Sequence, residues 1–280
     1  MKPPAGSPLE VIDRATFDVR RRFSEAPASD ARLRATQAPG NRRLLLIHRL
    51  LADAMPAGDG PVSMLELGVG HGELVRPMAE LLPRAQWTAV EHPRRRYLGS
   101  AEYRRMLEEA RCRVVAASLT SLPLPLADAS FDLVTFSEVL EHLPSTAVFP
   151  LLVEVRRLLR PGGRMVITSP NLLALQYRLL LLLGRSPFDL PVETDFAPET
   201  FGHIRLYAAA EIEKLGRRAG WQVEKVHHQT WMLGHYGFEQ PGLRWAERIL
   251  WFLDRTVGSL HAELRDAWAM VLRRPRRDDA

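Results

Sequence analysis

Five short apolar runs, "VSMLEL", "QWTAVE", "RVVAAS", "DLVTFS" and "RMVITS", alternate with stretches of helical periodicity through the middle of the chain. Runs this short with little polar alternation suit strands buried on both faces. Their alternation with helices implies a parallel sheet covered on both sides. The pattern resumes with "AAAEIEKLGRRAGWQVEKVHHQ", a helix running into a strand, and closes with "RDAWAMVLRRP" as a last strand. The class expected is α/β, with helices on both faces of the sheet.

Around this unit the sequence changes character. Residues 1–40 are rich in Pro, Ala, Ser and Arg. They read as an arm, partly disordered, with a short helix around Val11 to Phe23. Leu44, Ile47, Leu51 and Met55 then recur at helical spacing and open a domain expected over 41–275, followed by a tail at 276–280. The stretch at about 171–206 interrupts the strand–helix pattern and is expected to be a lid, since long insertions beside a sheet's carboxyl end carry function.

The segment "MLELGVGHGEL" places Gly68, Gly70 and Gly72 directly behind the first strand. In open α/β sheets, ligands bind at the carboxyl ends of the strands, and bare glycines let a ligand lie against main chain. Tight strand–helix turns also need glycine for shape alone, so the loop by itself is a weak signal. Glu91, at the end of the second strand, stands 19 residues beyond Gly72. That is close to the ~20-residue interval at which an acid grips ribose hydroxyls. The pattern is G-x-G-x-G rather than G-x-G-x-x-G, and Glu73 follows at what reads as the first turn of a helix. A carboxylate there disfavours a diphosphate and tolerates S-adenosylmethionine, which carries a sulfonium and an ammonium. Glu66, inside the first strand, suits the same cationic ligand.

Composition removes several alternatives. The 38 basic residues, nearly all arginine, are scattered apart from short runs at Arg20, Arg94 and Arg273, so nucleic acid is not an expected partner. Cys112 is the single cysteine, which rules out an intrachain disulfide and points to the cytoplasm. The most apolar segment, "LLALQYRLLLLLG", is broken by Gln176 and Arg178 and is too short to span a bilayer. No metal site is expected, because His227, His228 and His235 are irregularly placed and no cysteine accompanies them.

On "LELGVGHG", "SLTSLPLPLADASFDLVTFSEVLEHL" and "EVRRLLRPGGRMVITSPN", the chain resembles the class I S-adenosylmethionine-dependent methyltransferases. The branch it most resembles contains the ubiquinone- and menaquinone-biosynthesis enzymes. The resemblance implies a Rossmann-like, doubly wound, mostly parallel seven-stranded sheet with the last strand antiparallel. It further implies that Gly68, Gly70 and Gly72 line the methionyl part of the cofactor and that Glu91 holds the ribose. Ser118 and Leu119 would flank adenine, with Ser137 and Glu138 beside the transferable methyl. Ser118 departs from the family's usual Asp and offers a weaker acceptor to the adenine amine. The family's nucleic-acid enzymes carry an Asn/Asp/Ser-Pro-Pro-aromatic loop after the fourth strand; "SEVLEHL" stands there instead. The expected acceptor is therefore an oxygen or carbon on a small molecule or a lipid- or glycan-linked compound.

Glu138 and His142 are the catalytic candidates. His142 lies where it could deprotonate an acceptor, oriented by Glu138 or Glu141, with His203 next in line. A capping or orienting histidine is the competing reading of His142. For the whole chain the competitors are a binding module that retains the fold without catalysis, and a nicotinamide oxidoreductase. Arg178 and Arg185 on the leucine-rich lid helix also leave open contact with a membrane surface.

Overall fold

The computed structural model describes residues 6–23, 30–186, 203–230, 256 and 261–279. Five parallel strands, β1 (Val62–Leu67), β2 (Ala85–Glu91), β3 (Cys112–Ala116), β4 (Phe131–Ser137) and β5 (Leu159–Pro170), coincide with the five apolar runs. With β6 (Gln222–Gln229) and β7 (Ala267–Arg273) they form one seven-stranded sheet in the order β3-β2-β1-β4-β5-β7-β6. β7 is antiparallel to both its neighbours, β5 and β6. The strand order reverses between β1 and β4, which opens a crevice at their carboxyl ends.

Successive side chains on β1 point to opposite faces, so Met64 joins one core and its neighbours Leu65 and Leu67 the other. The first core contains Ile12, Ile47, Met78 and Tyr103, from α1 (Pro8–Phe23), α2 (Asp30–Ala54), α3 (Val75–Leu81) and α4 (Ala101–Glu109). The second takes Leu151 and Val155 from α5 (Ser145–Leu158) and Ile212 from α7 (Ala209–Arg218). Alternation of helices between the faces is what leaves the strands apolar throughout.

Three local features go beyond the apolar pattern of the sequence. First, α1 begins at Pro8 and docks firmly: Val11 and Ile12 are fully buried, and each such side chain contributes about 1.5–3 kcal/mol. A buried polar clip holds it on α2, with the Thr16 hydroxyl donating to Asn41 Oδ1 at 3.0 Å and Asn41 Nδ2 donating to Asp13. Second, α2 begins at Asp30, upstream of the boundary expected at Asn41. Third, Pro161-Gly162-Gly163 lies inside β5, although α5 does stop just before it, at Leu158. A Cβ on Gly163 would meet the carbonyl oxygens of Arg160 and Asp132 at 2.9 Å, so glycine is required where β5 presses against an irregularity in β4.

Of the expected lid, α6 (Leu175–Leu182) lies within the described residues, while 187–202 and His235 lie outside them. Tyr177 is buried against Ala174 and Leu206. Among the described residues, no helix is long and apolar enough to cross a membrane.

Candidate active site

A cleft of about 860 Å³ sits at the carboxyl ends of β1, β2, β3 and β4, where the strand order reverses. Its walls include Glu66, Gly68, Gly70, Glu91, Ser118, Leu119, Ser137, Glu138 and His142. Every expected site residue except Gly72 is therefore brought to one place. A second depression, about 800 Å³, lies at the opposite end of the sheet around Ser63, Gln86 and Phe131, remote from the glycine turn.

The three glycines do different work. All have positive φ, but a Cβ on Gly68 would strike Val139 at 2.6 Å and one on Gly72 would strike Met106 at 2.7 Å. A Cβ on Gly70 would meet nothing within 4 Å. Gly72 is thus a packing glycine turned toward α4, and Gly70 is the bare stretch of main chain facing the cleft. Its peptide is fixed from both sides, the N–H donating to Glu91 Oε2 at 2.8 Å and the carbonyl accepting from the Tyr103 hydroxyl at 2.7 Å. Glu73 also differs from expectation: α3 starts two residues later, and Glu73 pairs with Arg20 of α1 at 3.0 Å.

Glu91 takes the His92 N–H on its other oxygen at 2.7 Å. Arg95 Nε lies 3.7 Å from Glu91 Oε1, and the Tyr97 side chain hydrogen-bonds the same carboxylate. Glu66 lies deeper, and its Oε2 is a buried oxygen without a hydrogen-bond partner. Burial, then the charge of Glu91, holds the Glu66 carboxyl well above its usual range, opposed by Arg43. A cationic group arriving beside it would favour its ionised form. Four carboxylates, Glu66, Glu73, Glu91 and Glu138, line the cleft against Arg43 and Arg95.

At the end of β4, Glu138 adopts φ +54, a conformation that costs energy for a non-glycine residue and concentrates at functional positions. The turn is held by Thr168, whose hydroxyl donates to Glu138 Oε1 at 2.9 Å and whose carbonyl accepts the Glu138 N–H. Ser137 contacts the same hydroxyl at 2.9 Å. A 3-10 turn, Leu140–His142, follows. It buries Glu141, whose carboxyl is pushed up by burial and by Glu138, and leaves His142 on the cleft wall with its ring 5.1 Å from that of His203.

At the end of β3, Ser118 lines the cleft with its hydroxyl 2.9 Å from that of Thr120. Arg43, absent from the sequence reading, reaches the cleft from α2 and lies 3.5 Å from Glu138 Oε2, with its buried Nε unpartnered. A lone arginine in an arginine-rich helix carries no signal that separates it from a solvated face.

A crevice of this kind, acidic and floored by bare main chain at the carboxyl ends of parallel strands, suits a nucleoside whose appended chain is cationic. That defines the class as an α/β binder of a nucleoside cofactor without phosphates. A family described as "Methyltransferase domain" matches residues 65–167. The ubiquinone/menaquinone biosynthesis C-methyltransferase of Desulfotalea psychrophila is 30% identical over 197 residues, covering 65% of this chain and 74% of that protein. Dimethylglycine N-methyltransferase of Parasynechococcus marenigrum is 34% identical over 130 residues, 44% of this chain and 42% of its own length. In the solved structure of the [4+2]-cyclase SpnF, the whole chain finds a counterpart with TM-score 0.54, covering 99% of this chain and 100% of that one at 16% identity; this likeness concerns fold alone. The chain belongs to the class I S-adenosylmethionine-dependent methyltransferases, and S-adenosylmethionine is its cofactor. The orphaned Glu66 oxygen and the open main chain at Gly70 fit that molecule.

Proposed function

We propose that the protein methylates an oxygen or carbon of a small-molecule, lipid-linked or glycan-linked acceptor in the cytoplasm. The observation that carries this reading is His142 on the cleft wall beside Glu138, at the carboxyl end of β4. S-adenosylmethionine supplies a methyl group on a sulfonium, already a good leaving group. Glu91 holds the ribose diol, Ser118 and Leu119 flank adenine, Gly68 and Gly70 floor the methionyl chain, and Glu66 receives its ammonium. Ser137 and Glu138 stand beside the methyl. Most of the rate then comes from holding the acceptor in line, and His142 takes up the acceptor's proton with Glu138 or Glu141 orienting it.

The name of the Desulfotalea relative supports a carbon acceptor; that of the Parasynechococcus relative is the reason nitrogen must be assayed too. Leu181, Leu182 and Leu183, 57%, 82% and 73% exposed at the end of α6, support a lipid-linked acceptor taken from a membrane surface. A binding module without catalysis is the second reading, favoured by the Ser118 hydroxyl engaging Thr120 rather than pointing a carboxylate at adenine.

Two measurements test this. S-adenosylhomocysteine at 100 times its Kd should stabilise the protein by about 2.7 kcal/mol while NAD leaves the melting temperature unchanged; the reverse would reject the cofactor site. Methyl-labelled S-adenosylmethionine incubated with cell extract should then label polar metabolites or lipids. Label confined to nucleic acid, or absent altogether, would reject the acceptor class.

Glu66 gives a pH-dependent result. Its folded pKa lies above the usual 4.5, so as pH climbs past that value the unfolded chain releases the proton first and unfolding is favoured up to the folded pKa. Glu66→Gln removes this term. Its melting temperature should exceed that of the ligand-free wild type by a margin that grows above about pH 4.5. Loss of the charged hydrogen bond, about 1.5–3 kcal/mol, should weaken S-adenosylmethionine binding about 10- to 150-fold. Equal melting temperatures across the pH range would show that Glu66 is not a destabilising buried acid.

A further inference from the structure

We propose that Glu141, His142 and His203 form a binding site for one divalent transition-metal cation at the rim of the cofactor cleft. One carboxylate oxygen and two imidazole nitrogens, one from each residue, all lie within 4.8 Å of one another. Ligand atoms about 2.0–2.2 Å from a shared ion stand about 3.3–3.6 Å apart in a tetrahedral set. Side-chain movement of about 1 Å therefore closes the set. The two imidazole ring centroids stand 5.1 Å apart, with the rings tilted by 51°.

The scaffold around the three groups is rigid. Glu141 and His142 share the 3-10 turn after β4, and His203 comes from a distant part of the sequence. The two segments are tied at the ligands themselves, because the Glu141 carbonyl accepts the N–H groups of Ile204 at 2.8 Å and Arg205 at 3.2 Å. The Ser169 hydroxyl donates to Glu141 Oε2 at 3.4 Å. Partners of this kind orient metal ligands and raise affinity. Two nitrogens and one carboxylate suit manganese, iron, cobalt, nickel or zinc better than magnesium or calcium. Three protein ligands leave coordination positions vacant, and one of the three, His142, lines the cleft.

This inference rests on the methyltransferase reading above and narrows it to oxygen. An acceptor hydroxyl in a vacant position loses its proton to solvent more readily. Its oxygen then forms the C–O bond as the C–S bond breaks, releasing the methyl ether and S-adenosylhomocysteine. With the cation bound, His142 is a ligand and the acceptor's proton leaves to solvent; this replaces the direct proton transfer to His142 and keeps the rest of the methyltransferase reading.

The full-length protein, freed of metal with a chelator and dialysed, should bind one Mn2+ or Zn2+ per chain in a saturable calorimetric titration. His203→Ala and the conservative Glu141→Gln should each weaken that binding at least tenfold, with S-adenosylhomocysteine affinity unchanged. In the Co2+-loaded protein, the visible absorption bands of bound cobalt should be lost in both variants. Absence of saturable binding, or affinity unaltered in both variants, would overturn the metal site. Such a result, together with intact S-adenosylhomocysteine binding and chelator-insensitive labelling of acceptors, would leave the methyltransferase reading standing.

Discussion

Replacing His142 with alanine is expected to lower turnover about 10²–10⁴-fold, the range by which a positioned group that assists proton transfer accelerates a reaction. The measurement is a single-turnover assay with labelled S-adenosylmethionine and the acceptor fraction found by labelling, run beside a calorimetric titration with S-adenosylhomocysteine. Cofactor affinity should stay nearly constant, because His142 follows β4 whereas Gly70 and Glu91, which are bonded to each other, belong to the ends of β1 and β2. Turnover within a few-fold of wild type would make the histidine a structural element of the turn after β4. The chemistry would then have to come from positioning alone.

Glu91→Ala should have the opposite signature, a loss of binding. The carboxylate accepts the Gly70 and His92 N–H groups in addition to any diol. Its removal costs the ligand about 1.5–3 kcal/mol of charge-assisted hydrogen bonding and also releases one of the two ties on the Gly70 peptide. S-adenosylhomocysteine affinity should fall by at least tenfold. Glu91→Gln should keep part of the diol contact while reversing the arrangement at one N–H, and so fall between the two. Unchanged affinity in the alanine variant would remove Glu91 from the cofactor site.

The sheet was legible because its central strands are buried on both faces and must therefore be written as short apolar runs; Met64, Leu65, Val134 and Ile167 could not be polar in this architecture. Glu66 and Glu91 were legible for the contrary reason, as acids placed where apolar residues were expected. Gly72 was misleading, since a glycine that avoids Met106 and one that admits a ligand look alike in a sequence. The docking of α1 escaped notice because Val11, Ile12, Ala15 and Val19 form only a narrow apolar stripe among charged neighbours, and the helix becomes stable through the surface it covers rather than through its own composition. The meeting of His142 with His203 depends on how the chain returns after β5, which no local pattern encodes. Glu141 looked like an orienting partner for the same reason: nothing in "SEVLEHL" tells that its carbonyl will anchor a segment arriving from elsewhere.

Arg43 enters the cleft from α2 and Ile204 enters it from beyond β5, yet both fall outside residues 65–167, the span that matches the methyltransferase domain. The crevice is thus assembled from both sides of that boundary. One part is written in the strands and the glycine turn. The other is drawn from a helix before the first strand and a segment after the fifth. Because Arg43 also faces Glu66 and Glu138, exchanging those two segments between relatives would read out how far the outer part of the crevice can vary before the grip on S-adenosylmethionine changes.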